Sequence, residues 1–288
     1  MIPTEFDYQA PTTLQEAINL LNISGDDAKI LAGGHSLIPA MKLRLTQPKL
    51  LIDIGRIKDL SYIREVGDQI NLGAMTTHYE IEASASLRKS CPLLPECAGH
   101  IGDAQVRNKG TIGGSLAHAD PAGDWPAAIL ALGAELMVAG EAGERTISSD
   151  QFFVDLLTTA LLPGEILCEI RIQKPRGKFG HAYQKVRHPA SGFAVIGIAV
   201  NLSFDGGGAC ESARVGVTGV ASKAYRAEQL EAQLMGKQLD PATIDAATAL
   251  VCEGVDANSD LYASADYRRH LARVYARRAI QEAVSRAA

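Results

Sequence analysis

Ala32-Gly33-Gly34-His35-Ser36 and Thr111-Ile112-Gly113-Gly114-Ser115 decide how this chain is read. Each glycine pair adjoins hydrophobic sequence and ends in a small hydroxyl residue. Paired glycines let a backbone approach a ligand closely, because no Cβ intervenes and positive φ is accessible. Successive N–H groups in such a turn converge into an anion-binding nest. Two such loops in one domain suit the two phosphates of a dinucleotide. Neither is a G-x-G-x-x-G fingerprint, and G-x-x-x-x-G-K-[ST] is absent, so the fold is not the Rossmann or P-loop kind. A single Gly-Gly is ordinarily only a turn. Two such segments in one chain are the informative feature.

The 288 residues suit about two domains. A hydrophobic share of 47% with 21% charged residues fits a globular chain with a good core. The net charge of −5 argues against a nucleic-acid binder. Residues 1–7 lack the basic and apolar regions of a secretory signal, and the apolar run 193–200 is too short to span a bilayer. Five scattered cysteines without C-x-x-C fit free thiols in a reducing compartment. They also deny this chain an iron–sulfur cluster of the four-cysteine kind.

The patterning predicts a helix over 12–21 capped by Thr13, with Leu14, Ala17, Ile18 and Leu21 on its apolar face. A strand at 28–32 runs into the first glycine loop. A short helix over 38–45 carries Lys42 and Arg44, and a buried strand at 50–54 closes at Gly55. Next come a strand at 69–72, a helix capped by Thr76 or Thr77, and a helix over 92–102. The second glycine loop is followed by a helix over 127–132. A hairpin pairs 135–139 with 145–147, and a strand covers 166–172. Three strands at 179–188, 193–204 and 209–220 form an antiparallel meander, and helices follow at 226–234, 240–253 and 264–287. The domain boundary falls near 177.

Longer motifs then carry a resemblance. They are Ala32-Gly33-Gly34-His35-Ser36-Leu37-Ile38-Pro39, Gly73-Ala74-Met75-Thr76-Thr77, Gln105 to Ser115, and Asp120-Pro121-Ala122-Gly123-Asp124-Trp125-Pro126. The whole chain resembles the FAD-binding medium subunits of the molybdenum hydroxylases (the xanthine dehydrogenase family), of the carbon monoxide dehydrogenase type. The resemblance implies an α+β fold with a PCMH or vanillyl-alcohol-oxidase type FAD-binding domain over 1–177. That domain would have subdomains at about 1–56 and 57–177. A C-terminal domain over 178–288 would hold a three-stranded antiparallel sheet and a helix bundle. It further implies non-covalent FAD, a large molybdopterin subunit, a small subunit with two [2Fe–2S] clusters, and a dimer of heterotrimers. It implies a cytoplasmic location, or a peripheral one at the inner membrane through the complex.

Residue by residue, the resemblance sets Ala32, Gly33, Gly34, His35, Ser36 and Leu37 around the FAD pyrophosphate. The Gly33 and Gly34 N–H groups and the Ser36 hydroxyl would donate to phosphate oxygens. His35 reads best as a packed loop histidine or a backbone hydrogen-bonder. Thr111, Gly113, Gly114 and Ser115 would serve the other side of the pyrophosphate and the ribityl chain. Asp124 suits ribityl or ribose hydroxyls. Asp120 is divided between that role and a turn cap. Lys185 matches a lysine near the flavin, where a cation stabilises the reduced anion; otherwise it is a solvated strand lysine. Ile101, Leu161 and Leu162 match isoalloxazine contacts, with core packing as the competing reading. Phe193 departs from the tyrosine of carbon monoxide enzymes, keeping an apolar shield but no hydroxyl.

The expected role is electron transfer. This subunit would take electrons from the small subunit's clusters and pass them to an external acceptor such as a quinone, oxygen or NAD. No acid–base pair, nucleophile or metal-ligand spacing stands out in the chain. Two rivals remain: a stand-alone FAD-dependent oxidase of the same superfamily, and a non-catalytic nucleotide-binding scaffold. The substrate of the complex stays open among carbon monoxide, an N-heteroaromatic compound and an aldehyde.

Overall fold

Parallel strands need a long crossover between them, and the first 53 residues supply two. The computed structural model, which describes residues 2–287, begins β1 (Asp7–Gln9), α1 (Leu14–Ser24), β2 (Ala28–Leu31), α2 (Leu37–Lys42), β3 (Leu50–Asp53). The strands form a parallel sheet ordered β1-β3-β2. Thr13 caps α1 as predicted: its side chain accepts the Glu16 N–H at 3.2 Å, and Glu16 accepts the Thr13 N–H at 3.3 Å. This reciprocal box satisfies two otherwise unpaired donors. Ala17, Ile18, Ala28 and Ile52 are buried together, with Leu14 and Leu21 against them. The helix expected over 38–45 stops at Lys42. Arg44 lies beyond it at φ +60°, where the Leu45 N–H returns to the Ala40 carbonyl at 2.9 Å and closes the helix.

The second unit starts with the hairpin β4 (Ile63–Val66) and β5 (Gln69–Gly73). Six helices follow: α3 (His78–Ala83), α4 (Leu87–Ser90), α5 (Leu93–Gly99), α6 (Ala104–Lys109), α7 (Ile112–His118) and α8 (Asp124–Leu132). Then come β6 (Glu135–Gly140), β7 (Gly143–Ser148), α9 (Ser149–Phe152), the small hairpin β8 (Phe153–Asp155) and β9 (Thr158–Thr159), and β10 (Ile166–Gln173). An antiparallel sheet results, ordered β4-β5-β10-β6-β7. α8 begins three residues before the predicted start, because Pro126 sits within its first turn, where its missing N–H costs nothing. All nine α8 residues are buried. A helix apolar all round belongs between layers.

The third unit explains what lies on its far side. It has β11 (Lys178–Arg187), β12 (Ala194–Phe204), β13 (Cys210–Thr218) and β14 (Tyr225–Arg226), then α10 (Glu228–Leu234), α11 (Pro241–Thr248) and α12 (Ala265–Arg286). The antiparallel sheet runs β11-β12-β13-β14. A two-residue strand thus joins the three expected ones. A Cβ at Gly216 would overlap the Ala127 carbonyl of α8, and one at Gly180 would overlap the Ala283 carbonyl of α12. Helix backbone therefore lies directly on both faces of this sheet. That accounts for the apolar run along β12, where Ala194 to Val200 is wholly buried.

Arg268 is buried where α12 meets the sheet. It donates to the Val195 carbonyl at 2.5 Å and the Gly219 carbonyl at 2.7 Å, and pairs with Asp260. All five cysteines are free thiols; Cys91, Cys97, Cys168 and Cys210 are buried and Cys252 is half-buried. Burial pushes the Cys91 and Cys168 thiols up to about 12 and Cys210 to about 11. Among the described residues, no helix is long and apolar enough to cross a membrane, and no group of His, Cys, Asp or Glu could hold a metal ion.

A candidate dinucleotide cleft between two subdomains

The first glycine segment leaves the carboxyl end of β2 and turns into α2. Gly34 makes the turn at φ +76°, a conformation that costs most other residues strain. The N–H groups of Gly33, Gly34, His35, Ser36 and Leu37 find no protein acceptor among the described residues. Five successive unpaired donors at a helix entry make a candidate anion nest. A Cβ at Gly33 would overlap the Lys109 carbonyl and lie 2.7 Å from the Gly110 Cα. This close approach presses the first segment against the second.

The second segment is not a loop. Thr111 caps α7 by accepting the Gly114 N–H at 3.1 Å, and Gly113, Gly114 and Ser115 lie in the first helical turn. Their amides are already paired. The Ile112 N–H donates to the Thr76 carbonyl at 3.0 Å, Gly113 to Ala74 at 2.8 Å, and Ser115 to Thr111 at 3.1 Å. A nest here is therefore ruled out. The glycines serve close packing instead: a Cβ at Gly113 would overlap Ala74, and one at Gly114 would meet the Ala32 Cβ at 3.4 Å. What the segment still offers is the Thr111 and Ser115 hydroxyls.

Between the segments runs a cleft of about 520 Å³, within the size range of cofactor sites. Its walls are Ala32, Gly33, Asp53, Gly55, Ile57, Lys58 and Ser61 on one side, and Met75, Thr77, Asn108, Lys109 and Thr111 on the other. Lys109 is exposed and has no carboxylate partner among the described residues. From sequence, Thr77 had only a capping role and Lys109 none. The signal available was their position: both flank residues already singled out.

A second cluster lies at the other end of α6, whose six residues span about 9 Å. Lys185 Nζ reaches Asp124 Oδ1 at 2.8 Å and Oδ2 at 2.9 Å, and donates to the His100 carbonyl at 3.0 Å. Tyr183 OH donates to Asp124 Oδ1 at 2.5 Å. The Lys185 and Asp124 side chains are 1% and 5% exposed, so Lys185 is no solvated strand lysine. Burial raises the Asp124 carboxyl and the Lys185 charge opposes that shift. The turn between β11 and β12 brings Gly192 to Gly102, 3.9 Å from a Cβ there to the Gly102 Cα. Ile101 and Phe193 therefore sit in one neighbourhood, Phe193 45% exposed. Leu161 and Ile101 pack against the main core, whereas Leu162 is exposed. Asp120 takes the turn role: its Oδ1 accepts the Ala122 N–H at 2.8 Å. His35 is exposed and makes no hydrogen bond to backbone among the described residues, unlike the packed or backbone-bonded loop histidine expected from the sequence.

A candidate nest opposed by a hydroxyl-bearing helix cap across a cleft is a donor arrangement that suits a dinucleotide-binding domain. Residues 4–175 match the family described as the FAD binding domain in molybdopterin dehydrogenase, and 181–283 match the CO dehydrogenase flavoprotein C-terminal domain. The carbon monoxide dehydrogenase medium chain of Afipia carboxidovorans is 40% identical over 100% of this chain and 99% of its own length. The 6-hydroxypseudooxynicotine dehydrogenase complex subunit alpha of Paenarthrobacter nicotinovorans is 37% identical over 100% and 97%. In structure, carbon monoxide dehydrogenase from Hydrogenophaga pseudoflava superposes with a TM-score of 0.97 at 41% identity, covering 100% of both chains. The chain belongs to the FAD-binding medium-subunit family of the molybdenum hydroxylases, of the carbon monoxide dehydrogenase type. It is an oxidoreductase subunit.

Proposed function

We propose that this chain holds FAD non-covalently in the cleft and serves as the electron-transfer subunit of a three-subunit molybdenum-dependent hydroxylase or dehydrogenase. The observation that carries this reading is the run of five unpaired amides from Gly33 to Leu37. Phosphate oxygens accept from N–H groups and offer nothing to acceptors, so this donor set fits a pyrophosphate. Lys109 adds an unpaired cation beside it, and Thr111 and Ser115 add hydroxyls from across the cleft. The chemistry that FAD supplies when bound is reversible electron uptake, one or two at a time.

The remaining site residues act on position. Ile101, Leu161, Leu162 and Phe193 offer apolar surface to a flavin ring. The Asp124–Lys185 pair fixes a lysine ammonium beside them, and Asp124 keeps acceptor capacity for a ribityl hydroxyl, since a carboxylate has about four lone-pair sites. The cofactor unit spans 1–177 and the C-terminal unit 178–288. Electrons enter from [2Fe–2S] clusters on a small partner chain and leave to an external acceptor, while a large partner chain carries the molybdopterin. The assembly is a dimer of heterotrimers in the cytoplasm. Relatives carry names for carbon monoxide and for 6-hydroxypseudooxynicotine, which supports a substrate set elsewhere in the complex.

Co-expression with the neighbouring genes, purification through a tag on this chain, and metal and flavin analysis test the reading. Copurified molybdenum, iron and acid-releasable FAD are expected. FAD with neither partner nor metal would replace the reading by a stand-alone oxidase. A folded, partner-bound preparation without flavin would overturn it.

A further inference from the structure

His78 is 96% shielded from solvent by its 4% exposure, yet one of its ring nitrogens is unaccounted for. It opens α3 directly after Thr77, which lines the cleft. Its own N–H donates to the Gly110 carbonyl at 3.0 Å. The Trp125 indole can only donate, and its Nε1–H points to His78 Nδ1 at 3.0 Å. Nδ1 must therefore be the acceptor, which leaves the proton of a neutral imidazole on Nε2. Burial keeps the ring neutral, holding its pKa near 4 with help from His35 and Arg107. Nε2 has no acceptor among the described residues and is not sealed from solvent.

Nε2 lies against Gly110, which itself touches the first glycine segment. A Cβ on Gly110 would lie 2.7 Å from Nε2, and a Cβ on Gly33 would lie 2.7 Å from the Gly110 Cα. Gly110 is thus the contact point between the imidazole and the nest. A side chain on Gly110 would close this approach. The opposing His35 belongs to the nest itself and is near enough to disfavour a charge on His78. Arg107, the other nearby cation, is occupied by Glu82 at 2.7 Å and the Ile101 carbonyl at 3.0 Å.

We propose that His78 is a cofactor-positioning residue whose Nε2–H, set by the Trp125 indole, donates to a pyrophosphate oxygen of the dinucleotide at the junction of the two glycine segments. This rests on FAD occupying the cleft. Trp125 acts through His78 and touches no ligand. A neutral donor of fixed tautomer gives the site direction without adding a charge, and it stays a donor across the physiological pH range.

The test uses the full chain, with any copurifying chains, stripped of flavin and titrated with FAD and separately with ADP, which carries the same diphosphate. Long-range 1H–15N NMR of 15N-histidine protein should show His78 with an Nε2 proton and a bare Nδ1. That Nε2 resonance should shift on adding either ligand. His78→Phe should weaken both ligands roughly three- to tenfold, the range of one lost hydrogen bond. His78→Gln, whose amide can reach the same region, should recover most of the loss. Trp125→Phe should release the tautomer and reproduce part of the weakening. Unchanged FAD affinity in His78→Phe, a proton on Nδ1, or an Nε2 resonance indifferent to ligand would each overturn the proposal. Loss of FAD affinity with ADP unchanged would overturn the pyrophosphate contact. If His78→Phe does not fold, the wild-type NMR decides alone. A wild-type chain that binds no FAD would sink the cleft reading itself, a failure visible before any variant is made.

Discussion

Gly33 and Gly34 forbid side chains for different reasons. Gly34 needs its positive φ, whereas Gly33 has an ordinary backbone and lacks only room. At Gly33 the obstacle is the Lys109 carbonyl, and backbone cannot rotate away as a side chain can. Gly33→Ala is therefore expected to push the nest off Gly110 and weaken FAD binding at least tenfold, about 1.4 kcal/mol. Flavin fluorescence titration measures it, with an unchanged far-UV spectrum showing that the fold survives. A second effect concerns acid. The folded pKa of His78 is about 4 against 6.5 for the free side chain, so the unfolded chain binds more protons between these values. Stability should fall as pH drops from 6.5 towards 4 and level off below, by up to about 3 kcal/mol from this group. Urea midpoints across that window should show a flatter slope in His78→Gln. Equal slopes would mean that the histidine is not shielded as described. At this scale the sequence showed where glycine was needed. It did not show which amides stay free, because the carbonyls that take up the Ile112 and Gly113 amides belong to Thr76 and Ala74, nearly 40 residues away in the chain.

Single elements show the same division between local and distant causes. α1 was legible because Thr13, Glu16 and the apolar spacing agree. The long strands β10 and β12 were legible from their Ile, Leu, Val and Ala residues. β4 was missed, as were β8, β9 and β14, which have only two or three residues, too few for a period to register. α7 was misread as a loop for a physical reason. Two glycines in its first turn disfavour a helix, and the deficit is met by the Thr111 cap and by carbonyls from outside the helix. Thr111→Val keeps the shape and removes the oxygen that accepts the Gly114 N–H. It should cost about 1 kcal/mol of stability and raise hydrogen-exchange rates at Gly114 more than at Leu116. Equal protection of both amides would contradict a cap of this kind.

On the scale of the molecule, the three units are joined by a few polar contacts inside apolar surroundings. The Asp124–Lys185 pair is a well-shielded one, tying α8 to β11 and to the end of α5 through the His100 carbonyl. Removing one member strands the other without water. Lys185→Met is expected to destabilise the chain by roughly 3–5 kcal/mol. Adding Asp124→Leu should return part of that loss, since the double variant leaves no lone charge. Chemical denaturation of the single and double variants gives the comparison, and a double variant worse than the single would argue that the pair is mainly a packing contact. The partnership spans 61 residues, and no pattern along the chain announces it. The sequence pointed to both residues only through resemblance, and assigned them to a ligand rather than to each other.

The thiols turn burial into a clock. Four of the five sulfurs are enclosed and held protonated, and Cys252 receives a hydrogen bond from Tyr225. An alkylating reagent at neutral pH should therefore mark the native chain at one position at most, while the opened chain takes five marks. The interval between the first adduct and the remaining four, read by mass spectrometry, then measures how often the whole interior comes apart.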